Sequence, residues 1–158
     1  MTLVVLSFAA CAPKAPQQGA EANVPVIVLP TLSGQTYNLT AAMQERPVII
    51  ASMAGYCGYC KAQAPLLDKL AGEYEGKNVD FVFAFVDQTP DGLQETIKSL
   101  GIEHANVVYN GGEFAQAAGV EGFPATFLIY KGEIMEDWGG YSPDHIDAIR
   151  ARLAGMVK

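Results

Sequence analysis

Two cysteines separated by two residues, Cys57 and Cys60 in Tyr56-Cys57-Gly58-Tyr59-Cys60-Lys61, carry the strongest chemical signal in this chain. They fall where a short apolar, β-branched run (48–52) gives way to a helical pattern (60–74). Two intervening residues in a first helical turn bring two sulfurs within reach of a disulfide. The free N–H groups and positive end of the helix favour a thiolate on the first cysteine. Cys57 therefore reads as the exposed nucleophile, and Cys60, one turn further in, as the thiol that resolves a mixed disulfide. A purely structural disulfide is the weaker reading, because so small a ring removes little unfolded-state entropy. A zinc half-site would need two more ligands, and His104 and His145 have no paired spacing, so neither metal nor bound cofactor is expected. Two inert thiols would not require a strand–helix junction. A copper-binding thiol module is the alternative from another functional class.

The elements that must position this pair are legible in the pattern. Residues 24–30 and 35–39 flank Ser33-Gly34 and predict a β-hairpin. Arg46-Pro47 leads into the buried strand 48–52. The helix 60–74 contains Pro65, where a kink is expected. The continuously apolar run within 78–86 predicts a strand placed centrally in a sheet. A helix over 91–100 ending near Gly101, a strand over 106–109 and a short helix over 113–118 ending at Gly119 follow. Strands 126–130 and 134–138 surround the turn Lys131-Gly132. Ser142-Pro143-Asp144 opens a last helix, about 143–156, on which His145 is expected to be exposed. Phe81, Phe83, Phe85 and Trp138 read as core or sheet-face residues, and His104 as a loop residue. The alternation predicts a three-layer α/β sandwich.

The chain has 158 residues, half of them apolar, which suits one domain with a short tail. Its net charge of -7 repels phosphate backbones and argues against nucleic acid as a partner. No apolar run approaches the roughly 18 residues that span a bilayer. Residues 1–11 are uncharged and mostly apolar, with small residues just before Cys11. This is similar to the end of a bacterial lipoprotein signal, with Cys11 the lipidated residue. Phe8 stands where Leu is usual and no basic segment precedes it, as expected of a truncated or late-assigned start. Residues 12–23, rich in Ala, Pro, Gln and Gly, read as a flexible tether. The expected location is extracytoplasmic, in the periplasm, with the protein anchored to the membrane by lipid.

From about residue 24 to 158 the sequence resembles the thioredoxin superfamily, and within it the extracytoplasmic TlpA/ResA-like thiol–disulfide oxidoreductases. Besides the cysteine pair, the resemblance rests on Pro65, eight residues after Cys57. It rests also on residues 119–127, Gly-Val-Glu-Gly-Phe-Pro-Ala-Thr-Phe, which match the segment carrying a cis-proline before a strand. The separation of 67 positions from Cys57 to Pro124 exceeds the thioredoxin spacing, and the extra helix and strand near 91–110 account for the difference. The resemblance implies a thioredoxin-like domain over 24–158, with an N-terminal hairpin and a central helix–strand insertion. It implies substrate contact at Phe123 and Pro124, where a substrate segment pairs with backbone in β fashion. Tyr56 and Tyr59, flanking the cysteines, are expected to join them. Implied partners are cysteine-containing extracytoplasmic proteins such as apocytochrome c, and an upstream membrane thiol–disulfide partner.

Departures from the family pattern matter as much. Tyr56 replaces the usual Trp. The buried acid of thioredoxins falls on Ala51, and the Glu of the ResA-like branch falls on Gln63, so neither position supplies a carboxylate to take the Cys60 proton. Water, the Cys57 thiolate or another residue must serve. Gly58-Tyr59 is similar to the dipeptide of the disulfide isomerase DsbC and favours a more oxidising couple. A periplasmic disulfide oxidase or isomerase is therefore an alternative, although residues 12–23 cannot build a dimerisation domain. Ala54, where a peroxiredoxin carries Thr, argues against peroxidase chemistry.

Overall fold

A computed structural model describes residues 26–157. The signal-like segment 1–11 with Cys11, the tether 12–23, and residues 24 and 25 of the expected hairpin lie outside the described residues. Among those described, β1 (Val28–Pro30) pairs antiparallel with β2 (Thr36–Asn38), forming the hairpin. It is shorter than the pattern suggested. Asn38 ends β2 by capping a helix, its side chain accepting the Ala41 N–H at 2.9 Å, and α1 (Leu39–Glu45) follows. Sequence periodicity missed α1: at two turns, it is too short to show a persistent apolar stripe.

The main sheet has the order β5-β4-β3-β6-β7. Its middle strand is β3 (Val48–Met53), buried along its whole length, as its β-branched run requires. β4 (Asp80–Phe85) and β5 (Asn106–Val108) extend the sheet in parallel on one side. β6 (Ala125–Tyr130) and β7 (Glu133–Gly139) continue it antiparallel on the other. The expected central run is thus an interior strand, one place from the middle. Lys131 and Gly132 both take positive φ (55° and 80°), giving the tight turn between β6 and β7 whose hand matches strand twist.

Helices cover both faces, completing the three layers. On one face lie α2 (Gly58–Glu73), α3 (Pro90–Leu100) and α5 (Asp144–Ala154), packed through Leu67, Leu70, Leu93, Ile149 and Leu153 onto Ile49, Phe81 and Phe83. On the other lie α1 and α4 (Gly112–Ala117), where Met43 and Phe114 meet Ile50, Val82 and Phe127. The insertion appears as α3 and β5 at the sheet edge. Thr89 caps α3, Pro90 starts it, and Gly101 at φ 65° ends it. α2 runs unbroken through Pro65. α5 starts one residue later than expected, with Ser142 Oγ accepting the Asp144 N–H at 3.3 Å. His145, expected to be exposed, is half-buried, and its Nδ1 is enclosed without a hydrogen-bond partner.

Asp68 sits on the buried face of α2 and fixes that helix to the loop before β5. Its carboxylate accepts the backbone N–H groups of Glu103 (3.0 Å), His104 (3.0 Å) and Ala105 (2.8 Å). Removing the acceptor leaves three donors to find water at a packed junction. Asp68→Ala is expected to lower the stability of the protein by about 2–4 kcal/mol in urea unfolding. A loss within experimental error would show that the loop contributes nothing to global stability.

Candidate active site

β3 ends at Met53, and residues 54–56 carry the chain to the first turn of α2. Cys57 is the N-cap of that helix in extended conformation (φ -81°, ψ 111°), and its Sγ accepts the Cys60 N–H at 3.1 Å. Both cysteines are free thiols. Their environments differ sharply. Cys57 is half-buried, whereas Cys60 is 1% exposed among Met53, Ala64 and Leu67. The Cys57 thiol donates to the Phe123 carbonyl at 3.5 Å, which places the loop before β6 against the outer sulfur.

Burial is the main reason the Cys60 thiol is pushed up to about 12. Its hydrogen bond with Cys57 adds to this, while a backbone hydrogen bond at Ala54 works the other way. The negative charges of Cys57 and Asp87 push in the same direction as burial. Asp87 is a residue that sequence reasoning passed over. It follows β4, and its Oδ1 accepts the Gly55 N–H at 2.7 Å. Next to it, the Gln88 side-chain amide lies 1.6 Å from where a Cβ on residue 55 would stand, so a larger residue there would have to push the Gln88 side chain aside. The cysteine loop is thereby braced by the segment leaving the neighbouring parallel strand. The readable signal was the first acidic side chain beyond an apolar strand, at the end of the sheet where such folds place ligands.

The positions that lack the family's acids are resolved differently. Ala51 is buried opposite Thr126 in the β3–β6 ladder. Gln63, three residues after Cys60 on α2, is also buried and donates through Nε2 to Thr126 Oγ1 at 2.7 Å, with its Oε1 enclosed and unpartnered. A neutral amide–hydroxyl pair thus stands there, and the carboxylate whose charge reaches Cys60 is Asp87.

The remaining expected site residues gather around Cys57. Pro124 is buried and the Phe123–Pro124 peptide is cis, as the sequence pattern implied. Its carbonyl accepts the Gly140 N–H at 2.8 Å, tying the end of β7 to this loop. Tyr56 and Tyr59 are 75% and 67% exposed, and Tyr59 stacks on Tyr141 with ring centroids 6.1 Å apart. Tyr141 was not foreseen. Cys11 lies outside the described residues. Among the described residues no three His, Cys, Asp or Glu side chains converge as metal ligands, and no helix is long and apolar enough to cross a membrane.

The chain matches the Redoxin family over residues 17–144. It is 26% identical over 110 residues to the thiol–disulfide oxidoreductase ResA of Halalkalibacterium halodurans, covering 69% of this chain. The chain spans 62% of that relative's length. It is 30% identical over 131 residues to an H-type thioredoxin of Chlamydomonas reinhardtii, covering 82% of this chain and 95% of the relative. The solved structure of the pneumococcal exposed lipoprotein thioredoxin Etrx1 from Streptococcus pneumoniae superposes with a TM-score of 0.70 at 22% identity, covering 83% and 99% of the two chains.

The two sulfurs should be told apart by alkylation. Near neutral pH, iodoacetamide is expected to modify Cys57 and spare Cys60 until the protein is unfolded. Asp87→Asn keeps an acceptor for the Gly55 N–H but removes a negative charge, so Cys60 should ionise at lower pH than in the wild type. A Cys60 titration identical in both proteins would show that Asp87 does not act on it. A raised thiol pKa means that the folded state holds its proton longer than the unfolded one. The reduced protein should therefore lose stability as pH rises from the ordinary thiol value of 9.0 toward about 12, a slope that Cys60→Ala should diminish.

Proposed function

The chain belongs to the Redoxin family, within the thioredoxin superfamily, and we propose that it is a thiol–disulfide oxidoreductase exchanging disulfides with extracytoplasmic proteins through Cys57 and Cys60. The observation that carries this reading is the asymmetry of the pair: one half-exposed sulfur capping a helix and one sealed sulfur a turn below. The Cys57 thiolate attacks one sulfur of a substrate disulfide, forming the mixed disulfide and expelling the other substrate sulfur as a thiolate. Cys60 then gives up its proton to that expelled thiolate and attacks Cys57 Sγ. The second substrate sulfur leaves as a thiolate that takes its proton from water, so the substrate departs as a dithiol, the protein keeps a Cys57–Cys60 disulfide, and two electrons have moved. An upstream membrane thiol–disulfide partner returns them. Phe123, Pro124, Tyr56 and Tyr59 form the contact surface, and apocytochrome c is among the fitting substrates.

The location that fits this role is outside the cytoplasm, with Cys11 lipidated and residues 12–23 serving as tether. The small residues before Cys11 support it, as does similarity to a thioredoxin named an exposed lipoprotein. Cells making the protein should incorporate labelled fatty acid into it, and Cys11→Ala should abolish the label. Wild-type protein recovered unlabelled with Met1 in place would contradict the anchor while leaving the redox reading intact.

Replacing the resolving thiol tests the redox reading itself. Cys60→Ser keeps the nucleophile, so mixed disulfides with partner proteins should accumulate and be identifiable by mass spectrometry. Trapping by Cys57→Ser and none by Cys60→Ser would reverse the assigned roles.

A further inference from the structure

Next to Phe123, whose carbonyl accepts from the Cys57 thiol, the surface opens into a groove of about 450 Å³, walled by the loop 118–123 on one side and by β7 on the other. That size lies within the range of about 300–1,000 Å³ typical of built binding sites. Its apolar lining includes Val120, Phe123, Phe127 and Ile134, and Ile134 is 48% exposed on the edge strand. Two carboxylates, Glu121 and Asp137, join that lining, and no Lys, Arg or His does.

Several described surface acids, among them Asp91, Glu95 and Glu113, have no ion pair, but Glu121 and Asp137 are the two that line this groove together, away from the acids that do have one. Glu73 and Asp147 share Arg150, Glu45 and Asp80 share Arg46, Glu136 takes Arg152, and Glu75 faces His104. Among the described residues Glu121 and Asp137 have no cationic partner, so the groove keeps an uncompensated negative charge. It is also continuous with the reacting centre. Phe123, one of its walls, holds its carbonyl 3.5 Å from Cys57 Sγ. At the same end Gly140 donates its N–H to the Pro124 carbonyl, and the next residue, Tyr141, stacks on Tyr59.

We infer that this groove seats a substrate polypeptide segment carrying a cationic side chain beside an apolar one, close in sequence to the cysteine under attack. The inference rests on the oxidoreductase reading and names its substrate class. The apolar side chain takes the Phe127–Ile134 surface, and the Lys or Arg supplies the charge that Glu121 and Asp137 lack. Such complementarity acts chiefly on selection and on encounter rate.

The test uses the reduced full chain and three disulfide-linked peptides, identical except for Lys, Gln or Glu three residues from the cysteine. A leucine occupies the intervening stretch in each. Stopped-flow measurement of mixed-disulfide formation at low salt should give rates in the order Lys, Gln, Glu. About tenfold is expected between the extremes, shrinking as salt is added. In the double variant Glu121→Gln/Asp137→Asn that ratio should fall to about twofold or less, and Glu121→Lys/Asp137→Lys should reverse the order. Equal rates for the three peptides in the wild type would overturn the groove assignment and leave the oxidoreductase reading standing. So would a wild-type preference that persists in the double variant, because it would then come from the general negative field. Failure of the wild type to react with any peptide, or with the small neutral 2-hydroxyethyl disulfide, would overturn the oxidoreductase reading and the groove with it.

Discussion

The hydrogen bond from the Cys60 N–H to Cys57 Sγ, 3.1 Å long, is the contact on which the site depends. It makes a reactive sulfur serve as the cap of a sixteen-residue helix, so one of the donors left free at a helix N-terminus is satisfied by the nucleophile itself. The rest of the fold holds that cap still. β3 is buried on both faces and delivers the backbone to Met53. The buried face of α2, from Cys60 through Leu67 to Ala71, fixes the helix axis against β3 and β4. Asp68 anchors the same helix to the loop before β5, and Asp87 anchors the loop before Cys57. A displacement of any of these would reach the sulfur.

From that constraint comes the division of labour between the thiols. The capping position leaves Cys57 accessible at the surface, beside the Phe123 carbonyl and the exposed rings of Tyr56 and Tyr59. One turn along the helix, the same geometry turns Cys60 inward, where burial disfavours its thiolate. A pair that presents one sulfur and withholds the other follows from helix geometry and burial. Where relatives of similar pattern place a carboxylate under the pair, this chain has Ala51 and the Gln63–Thr126 pair, and Asp87 approaches from the loop side. Proton handling therefore has its one acidic influence on Cys60 at the exposed end of the sheet.

Much of this was legible in the sequence, because the strongest signals are local. The cysteine spacing at a strand–helix junction, the Lys131-Gly132 turn, Thr89-Pro90 before α3 and Gly101 after it each owe their conformation to adjacent residues. What the sequence concealed depends on contacts between distant segments. Asp68 looks like a solvated helix residue until Glu103, His104 and Ala105 arrive from 35 to 37 positions away. Asp87 acquires meaning only when Gly55 is seen 32 positions earlier. Tyr141 reaches Tyr59 only after the chain has crossed the sheet, and α1 was hidden by its length, although Asn38 was a readable cap.

The most direct measurement of the central claim is redox equilibration of the protein against glutathione buffers of graded potential, with the thiol state read by mass spectrometry. Cys57 and Cys60 should oxidise together in a single two-electron transition that loses two hydrogens and joins the two residues, and replacing either cysteine should abolish that transition. Two thiols that stay reduced across the range, or that oxidise separately as independent glutathione adducts, would contradict the account.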